Sequence, residues 1–300
     1  MTRTQFFKIV EIRTKIISMG TFSAGTLYAV YTTHTLKFWQ FILMGLATLC
    51  VDMGTTGFNS YFDYLNGSDN ASLNQEEDKV LVHEHVNPTG ALIASLVLFL
   101  FAGMLGLVLA YMTSWKLIFV GAVCMVVGFC YTGGPYPISR TPFGELFAGS
   151  FLGSVLFLIS YYVQSGNLTL HAVLASLPFL LLVALILSIN NSCDRISDTK
   201  SGRRTLSILL SEQGNTLLLK AEFALSFLLS VVLVATRIYP LLFTPFLLLG
   251  FLFGYVQCKE MFKRDFSEKT KQKNMIQVSG IYLVFCLVFL LGFGFDMLVS

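Results

Sequence analysis

Charge is what this sequence has least of. Of its 300 residues only 12% are Asp, Glu, Lys or Arg, while 55% are hydrophobic. A soluble domain of this length would carry about twice that charged fraction, which excludes an ordinary water-exposed globular surface. Net charge is only +3, and no basic stripe with interleaved aromatics occurs, so nucleic acid is not the expected partner. The six cysteines (Cys50, Cys124, Cys130, Cys193, Cys258 and Cys286) form no CxxC pair, and most sit inside apolar blocks. They read as free thiols packed among helices, with no disulfide framework. A short apolar core with a small-residue cleavage site is missing from the first residues, which Arg3, Lys8, Glu11, Arg13 and Lys15 break up. That segment is expected to be an amphipathic, interfacial lead-in and not a signal peptide.

What the chain has instead is long apolar runs separated by short polar stretches, the membrane pattern. Nine candidate spans lie at about 17–33, 38–58, 90–111, 116–133, 143–163, 170–190, 216–235, 239–257 and 278–298, each close to the roughly 20 residues that a span needs. The expected fold is therefore an all-α membrane protein with nine transmembrane helices, forming a single integral-membrane domain over residues 1–300. Orientation follows from Lys and Arg placement. If the N-terminus is cytoplasmic, all of the 20 Lys and Arg except Lys37, Lys116 and Arg237 fall on the cytoplasmic side. No targeting segment is seen, and a bacterial cell membrane is the expected location. The basic stretch 258–273 reads as a topology anchor for anionic headgroups.

Two polar clusters stand out at the cytoplasmic ends of apolar runs. The first is Asn59-Ser60-Tyr61-Phe62-Asp63-Tyr64-Leu65-Asn66-Gly67-Ser68-Asp69. Asn59 and Asp63 are spaced to share one helix face, and Gly67 is placed to turn the chain so that Asp69 folds back toward them. The second is Asn190-Asn191-Ser192-Cys193-Asp194-Arg195-Ile196-Ser197-Asp198, in which Asn190, Asp194 and Asp198 again share a face. Carboxylates at a membrane boundary are costly unless partnered. An oxygen-only donor set without His or Cys suits Mg²⁺ better than Zn²⁺. Two such clusters facing each other would clamp a diphosphate through metal ions. Basic candidates for the diphosphate are Arg140, in the loop after Tyr131-Thr132-Gly133-Gly134-Pro135, and Lys200, Arg203 and Arg204 after the second cluster. Arg is suited to phosphate forks. Asp52, inside the second span, needs a partner or a water-filled position. His83 and His85 lack a third ligand and read as surface residues.

With these clusters in view, the chain resembles the UbiA superfamily of intramembrane prenyltransferases, and within it the 1,4-dihydroxy-2-naphthoate polyprenyltransferases of menaquinone biosynthesis. The resemblance covers essentially the whole chain. It is carried by Asn59 through Asp69, Tyr131-Thr132-Gly133-Gly134-Pro135, Gly144-Glu145-Leu146, Tyr161 through Gly166, Asn190-Asn191, Asp194, Asp198 and Gly202-Arg203-Arg204-Thr205-Leu206. Ser60 stands where the family usually has Asp, and Cys193 where the branch usually has Arg. The resemblance implies a helical bundle around a central cavity open to lipid. It implies Mg²⁺ held by Asn59, Asp63, Asp69, Asn190, Asp194 and Asp198, with Asp63 and Asp194 catalytic. The diphosphate would meet Arg140, Lys200, Arg203 and Arg204, and the acceptor pocket would include Arg13, Tyr131, Thr132 and Asn191. The reaction it implies is Mg²⁺-dependent transfer of a polyprenyl group from polyprenyl diphosphate to an aromatic acid, with 1,4-dihydroxy-2-naphthoate the first choice. The alternatives are another acceptor on the same fold (4-hydroxybenzoate, homogentisate or haem) and, in a different class, a cation-coupled transporter. Transporters tend to place such acids near the midplane on broken helices, whereas these clusters lie at one face.

Overall fold

The computed structural model describes residues 1–67, 79–84 and 86–299, and the described residues contain helices and no strand. A short helix α1 (Arg3–Ile9) is closed by a capping box between Thr2 and Gln5, and a 3₁₀ turn over Ile12–Lys15 leads into α2 (Ile16–Thr33). There follow α3 (Phe38–Leu65), α4 (Val80–His83), α5 (Pro88–Met112), α6 (Lys116–Cys130), α7 (Gly144–Ser165) and α8 (Leu170–Cys193). The chain continues through two short pieces, α9 (Arg195–Lys200) and α10 (Leu206–Leu209), into α11 (Glu212–Ala235), α12 (Leu241–Lys263) and α13 (Glu268–Val299).

Among the described residues, seven helices are long and apolar enough to cross a membrane: α3, α5, α7, α8, α11, α12 and α13. The other two expected spans are helical but shorter or more polar. α6 has 15 residues, because the Gly133-Gly134-Pro135 turn follows it closely. α2 has 18 residues and buries the hydroxyls of Ser18, Thr21 and Thr26. The expectation of nine spans is therefore met by seven that qualify on length and hydropathy. Helix ends also differ from the apolar windows. α3 runs seven residues beyond 58, to Leu65, and α13 starts ten residues before 278, at Glu268. Backbone hydrogen bonding carries a helix past the point where its side chains stop being apolar, and those polar extensions carry the site.

α8 occupies the middle of the bundle, with two thirds (67%) of its apolar window buried. It packs against α7, α11 and α13. Tyr28, Phe157, Phe179, Phe285, Phe289 and Phe293 form a continuous aromatic core there, with rings such as Phe179 and Phe289 set edge to face at 5.2 Å, the geometry that aromatic quadrupoles favour. α7 opens into a π-helical turn at Gly149–Val155 where it crosses α8. A Cβ at Gly153 would lie 2.6 Å from the Leu180 Cα. Small residues let membrane helices approach this closely. Phe119, Leu248 and Leu249 point outward and are exposed, as lipid-facing residues of a bundle are.

Candidate active site

The C-terminal turns of α3 and α8 meet across one cavity. It encloses about 2500 Å³ and is lined at its polar end by Asn59, Asp63, Asn190, Asp194, Asp198 and Arg203. That volume exceeds the roughly 300–1,000 Å³ of ordinary small-molecule pockets. Toward the bundle the walls turn apolar, with Leu96, Phe99, Leu107, Met125, Ile159 and Leu187. The space therefore suits a ligand with a charged head and a long greasy tail.

On α3, helical spacing puts Asn59 and Asp63 on the cavity side, and the helix ends at Asn66 with Gly67 at φ +69°. The left-handed turn expected at Gly67 is present. Asp69 lies outside the described residues, as does His85. Thr132 donates its hydroxyl to Asn59 Oδ1 at 2.6 Å and so aims that amide. The 131–140 loop reaches Asn59 because Gly133 fits flush against Phe62; a Cβ there would lie 2.6 Å from the Phe62 ring.

On α8, the second cluster keeps its face although the helix breaks at Asp194. The Asp194 N–H donates to the Asn190 carbonyl at 3.0 Å, and the Asp198 N–H to the Asp194 carbonyl at 2.8 Å. Asn190 Nδ2 donates to Asp194 Oδ2 at 3.2 Å. Asp198 is buried, and its Oδ2 has no hydrogen-bond partner among the described residues. Burial pushes its carboxyl up to about 6, against the pull of the Arg203 guanidinium, since a desolvated carboxylate favours its neutral form.

Arg203 ties the two clusters together. Its Nη2 donates to Asp63 Oδ1 at 2.7 Å, and its Nη1 lies 3.4 Å from Asp198 Oδ1. Lys271, at the start of α13, pairs with Asp194 Oδ2 at 2.8 Å. Arg203 was among the basic candidates; Lys271 was not, because it belongs to the stretch read as a topology anchor. Of the other expected diphosphate groups, Lys200 and Arg204 are exposed and outside the cavity lining. Arg140 is also outside the lining. It donates to the Ser201 carbonyl, while the Arg204 N–H donates to the Arg140 carbonyl at 3.0 Å. Arg140 thus clamps the 131–140 loop to the turn that presents Arg203. Arg13, Tyr131, Thr132 and Asn191 all line the cavity. Glu145, one of the residues that carry the resemblance, is buried and accepts from Asn191 Nδ2 at 2.8 Å. Asp52 has a partner: Lys15, at 2.8 Å.

The donor set fits Mg²⁺. It consists of amide and carboxylate oxygens, with one buried carboxylate oxygen of Asp198 left unpartnered. Among the described residues no three His, Cys, Asp or Glu form a ready-made metal cage. Mg²⁺ is ordinarily held by one or two carboxylates, with substrate phosphates completing its shell.

Comparison with known proteins finds relatives across most of the chain. The family model described as "UbiA prenyltransferase family" matches residues 18–281. The 1,4-dihydroxy-2-naphthoate octaprenyltransferase of Bacillus subtilis is 38% identical over 208 residues, covering 69% of this chain and 67% of that protein. The protein of the same description from Mycobacterium tuberculosis is 26% identical over 227 residues, covering 76% of this chain and 74% of its own length. A UbiA homolog from Archaeoglobus fulgidus, bound to DMAPP and Mg²⁺, superposes with a TM-score of 0.67 at 9% identity over 95% of this chain and 98% of that one, which shows a shared fold. With a match across most of its length and paired Asn-x-x-x-Asp helix ends over one cavity, the chain belongs to the UbiA prenyltransferase family.

Proposed function

We propose that this protein transfers a polyprenyl group from polyprenyl diphosphate to a hydroxylated aromatic acid, with 1,4-dihydroxy-2-naphthoate as the first-choice acceptor. The observation that carries the reading is Arg203, which joins Asp63 of one helix end to Asp198 of the other over the mouth of a large, mostly apolar cavity. The naphthoate acceptor follows from the described activity of the Bacillus relative. We read α2 and α6 as further spans, giving nine, and the Lys and Arg distribution as placing the N-terminus and the site on the cytoplasmic side.

In this reading the allylic C–O bond breaks with its electron pair leaving on the diphosphate, a ring carbon of the acceptor forms the new C–C bond, and that carbon's proton leaves to restore the aromatic ring. With the naphthoate, the carboxylate also departs as CO₂ and a proton takes its place on the ring. Mg²⁺, held by Asn59, Asp63, Asn190, Asp194 and Asp198 and by Asp69 outside the described residues, would neutralise charge on the leaving group. Arg203 and Lys271 supply positive charge at the same place. They balance the carboxylates when no diphosphate is present and are within reach of its oxygens when it is. Arg140 sets the position of Arg203, while Lys200 and Arg204 act from outside the cavity on the approaching anion. Thr132 orients Asn59. The apolar walls keep water from an allylic cation, which water would otherwise convert to an alcohol. Tyr131, Asn191 and Arg13 offer polar contacts to the acceptor.

The test is incubation of the purified protein with prenyl diphosphates of several lengths and a panel of aromatic acids, with products read by mass. A prenylated naphthoquinol lacking the carboxylate supports the assignment. Selective prenylation of 4-hydroxybenzoate moves the acceptor assignment, and no prenylated product from any acid overturns the reading.

A further inference from the structure

A buried ion pair on the cavity wall has no part in the metal and diphosphate site. Lys15, at the start of α2, is 4% exposed, and its Nζ donates to Asp52 Oδ1 of α3 at 2.8 Å. The same ammonium donates to Thr56 Oγ1 at 2.5 Å, and its remaining contact is the Asp52 main-chain carbonyl at 3.5 Å. Ser18 donates to the other carboxylate oxygen of Asp52 at 2.6 Å. Lys15, Ser18, Asp52 and Thr56 all line the cavity. They continue a polar stripe down α3, where Asp52, Thr56, Asn59 and Asp63 succeed one another at helical spacing. Asp52 is two turns from Asn59, about 10 Å along the axis at 1.5 Å per residue.

Three physical points bear on why a charged pair sits there. A buried ion pair is weak support for a fold, because apolar residues of the same volume serve as well or better. Its chemistry is also wrong for the prenyl substrate. The tail has nothing to offer a carboxylate, and the diphosphate would be repelled by Asp52. The third contact of Lys15, to the Asp52 main-chain carbonyl, is long at 3.5 Å, so it is the weakest of the three and the one that a ligand oxygen in the cavity would displace, beside the carboxylate of Asp52. A ligand that presents an anionic oxygen and a hydroxyl donor on one rigid ring matches both halves.

Resting on the prenyltransferase reading above, we infer that the Lys15–Asp52 pair is a docking point for the aromatic acceptor, Lys15 receiving its carboxylate and Asp52 a ring hydroxyl. The pair selects hydroxylated aromatic acids and holds the ring on the α2–α3 wall. Arg13, exposed and lining the same cavity, adds a second positive charge at its entrance. Asp52 keeps Lys15 neutralised when no acceptor is bound, which avoids a lone buried charge.

The experiment is two-substrate kinetics on the purified full chain, comparing wild type with the K15M/D52L double variant, which replaces the whole pair with apolar volume and leaves no orphaned charge. The expected result is an acceptor KM raised at least about tenfold, in line with the cost of losing a desolvated charged contact, with the KM for prenyl diphosphate changed less than about twofold. A second readout is substrate preference. Wild type should favour the naphthoic acid over the matching naphthalenediol without a carboxylate, and the double variant should lose that preference. Unchanged acceptor KM and unchanged preference overturn the inference, as does a parallel rise in both KM values. If the double variant does not accumulate as folded protein, Thr56→Val removes only a hydroxyl that holds Lys15, and the same ratio of acceptor to diphosphate KM decides. Failure of the underlying reading appears separately, as a wild-type protein that prenylates no aromatic acid.

Discussion

Arg203 and Lys271 stand where opposite charge is needed, each half-buried against a carboxylate of a different helix. Truncating one partner of such a pair leaves the other charged and desolvated, at a cost of about 2–5 kcal/mol. Arg203→Met is therefore expected to raise the KM for prenyl diphosphate more than about tenfold, whereas Lys200→Met, at an exposed position, should stay within about twofold. Steady-state kinetics with the diphosphate varied distinguishes them. Thr132 acts one step further out, through its bond to Asn59. Partners that orient metal ligands typically matter by about 10–100-fold in metal affinity. Thr132→Val should raise the Mg²⁺ concentration for half-maximal turnover by about tenfold, with Thr132→Ser restoring it. The two Asn-x-x-x-Asp clusters were legible in the sequence because i, i+4 spacing is local and a helix converts it directly into a shared face. Lys271, and the pairing of Lys15 with Asp52, were not legible. Each depends on which helices become neighbours, and nothing in the run 258–273 marks one lysine of several as the partner of Asp194.

Among elements, α7 and α8 show how tightly backbone geometry constrains the bundle. The Gly153 contact with Leu180 is to backbone as well as side chain, so no rotamer change relieves a larger residue. Gly153→Leu is expected to abolish accumulation of folded protein in detergent, while Gly294→Ala, where nothing lies within 4 Å, should leave the melting temperature unchanged or higher because Ala favours a helix over Gly by about 1 kcal/mol. Fluorescence-detected size exclusion with a thermal ramp checks both. Hydropathy found the membrane-embedded middle of each long helix but not its ends, since an apolar window measures contact with lipid and not backbone hydrogen bonding. The ends of α3 and α13 beyond those apolar windows hold Asp63, which its spacing from Asn59 already places on a helix, and Lys271. The brevity of α6 follows from Gly133 and Gly134, visible in the sequence as a turn yet overridden there by the apolar run before it.

For the molecule as a whole, the walls of the cavity are helices packed against one another. The carboxylates at its mouth have Arg203 and Lys271 as partners, so removing divalent ions should not unfold the protein. EDTA is expected to stop turnover while leaving the melting temperature of the bare protein within about 2 °C. Mg²⁺ together with an unreactive prenyl diphosphate analogue should raise it, because a ligand at 100 times its Kd stabilises the folded state by about 2.7 kcal/mol. Differential scanning fluorimetry in nanodiscs reads both. The account stands on two acidic helix ends, far apart in sequence, gripping one leaving group through shared divalent ions. The most direct measurement is Mg²⁺-dependent prenyl transfer by purified Asp63→Ala and Asp194→Ala proteins whose fold is verified by melting. Both should insert and fold yet transfer at less than about a hundredth of the wild-type rate, as loss of a charge-stabilising group in a transition state predicts; wild-type transfer by either one would contradict the account.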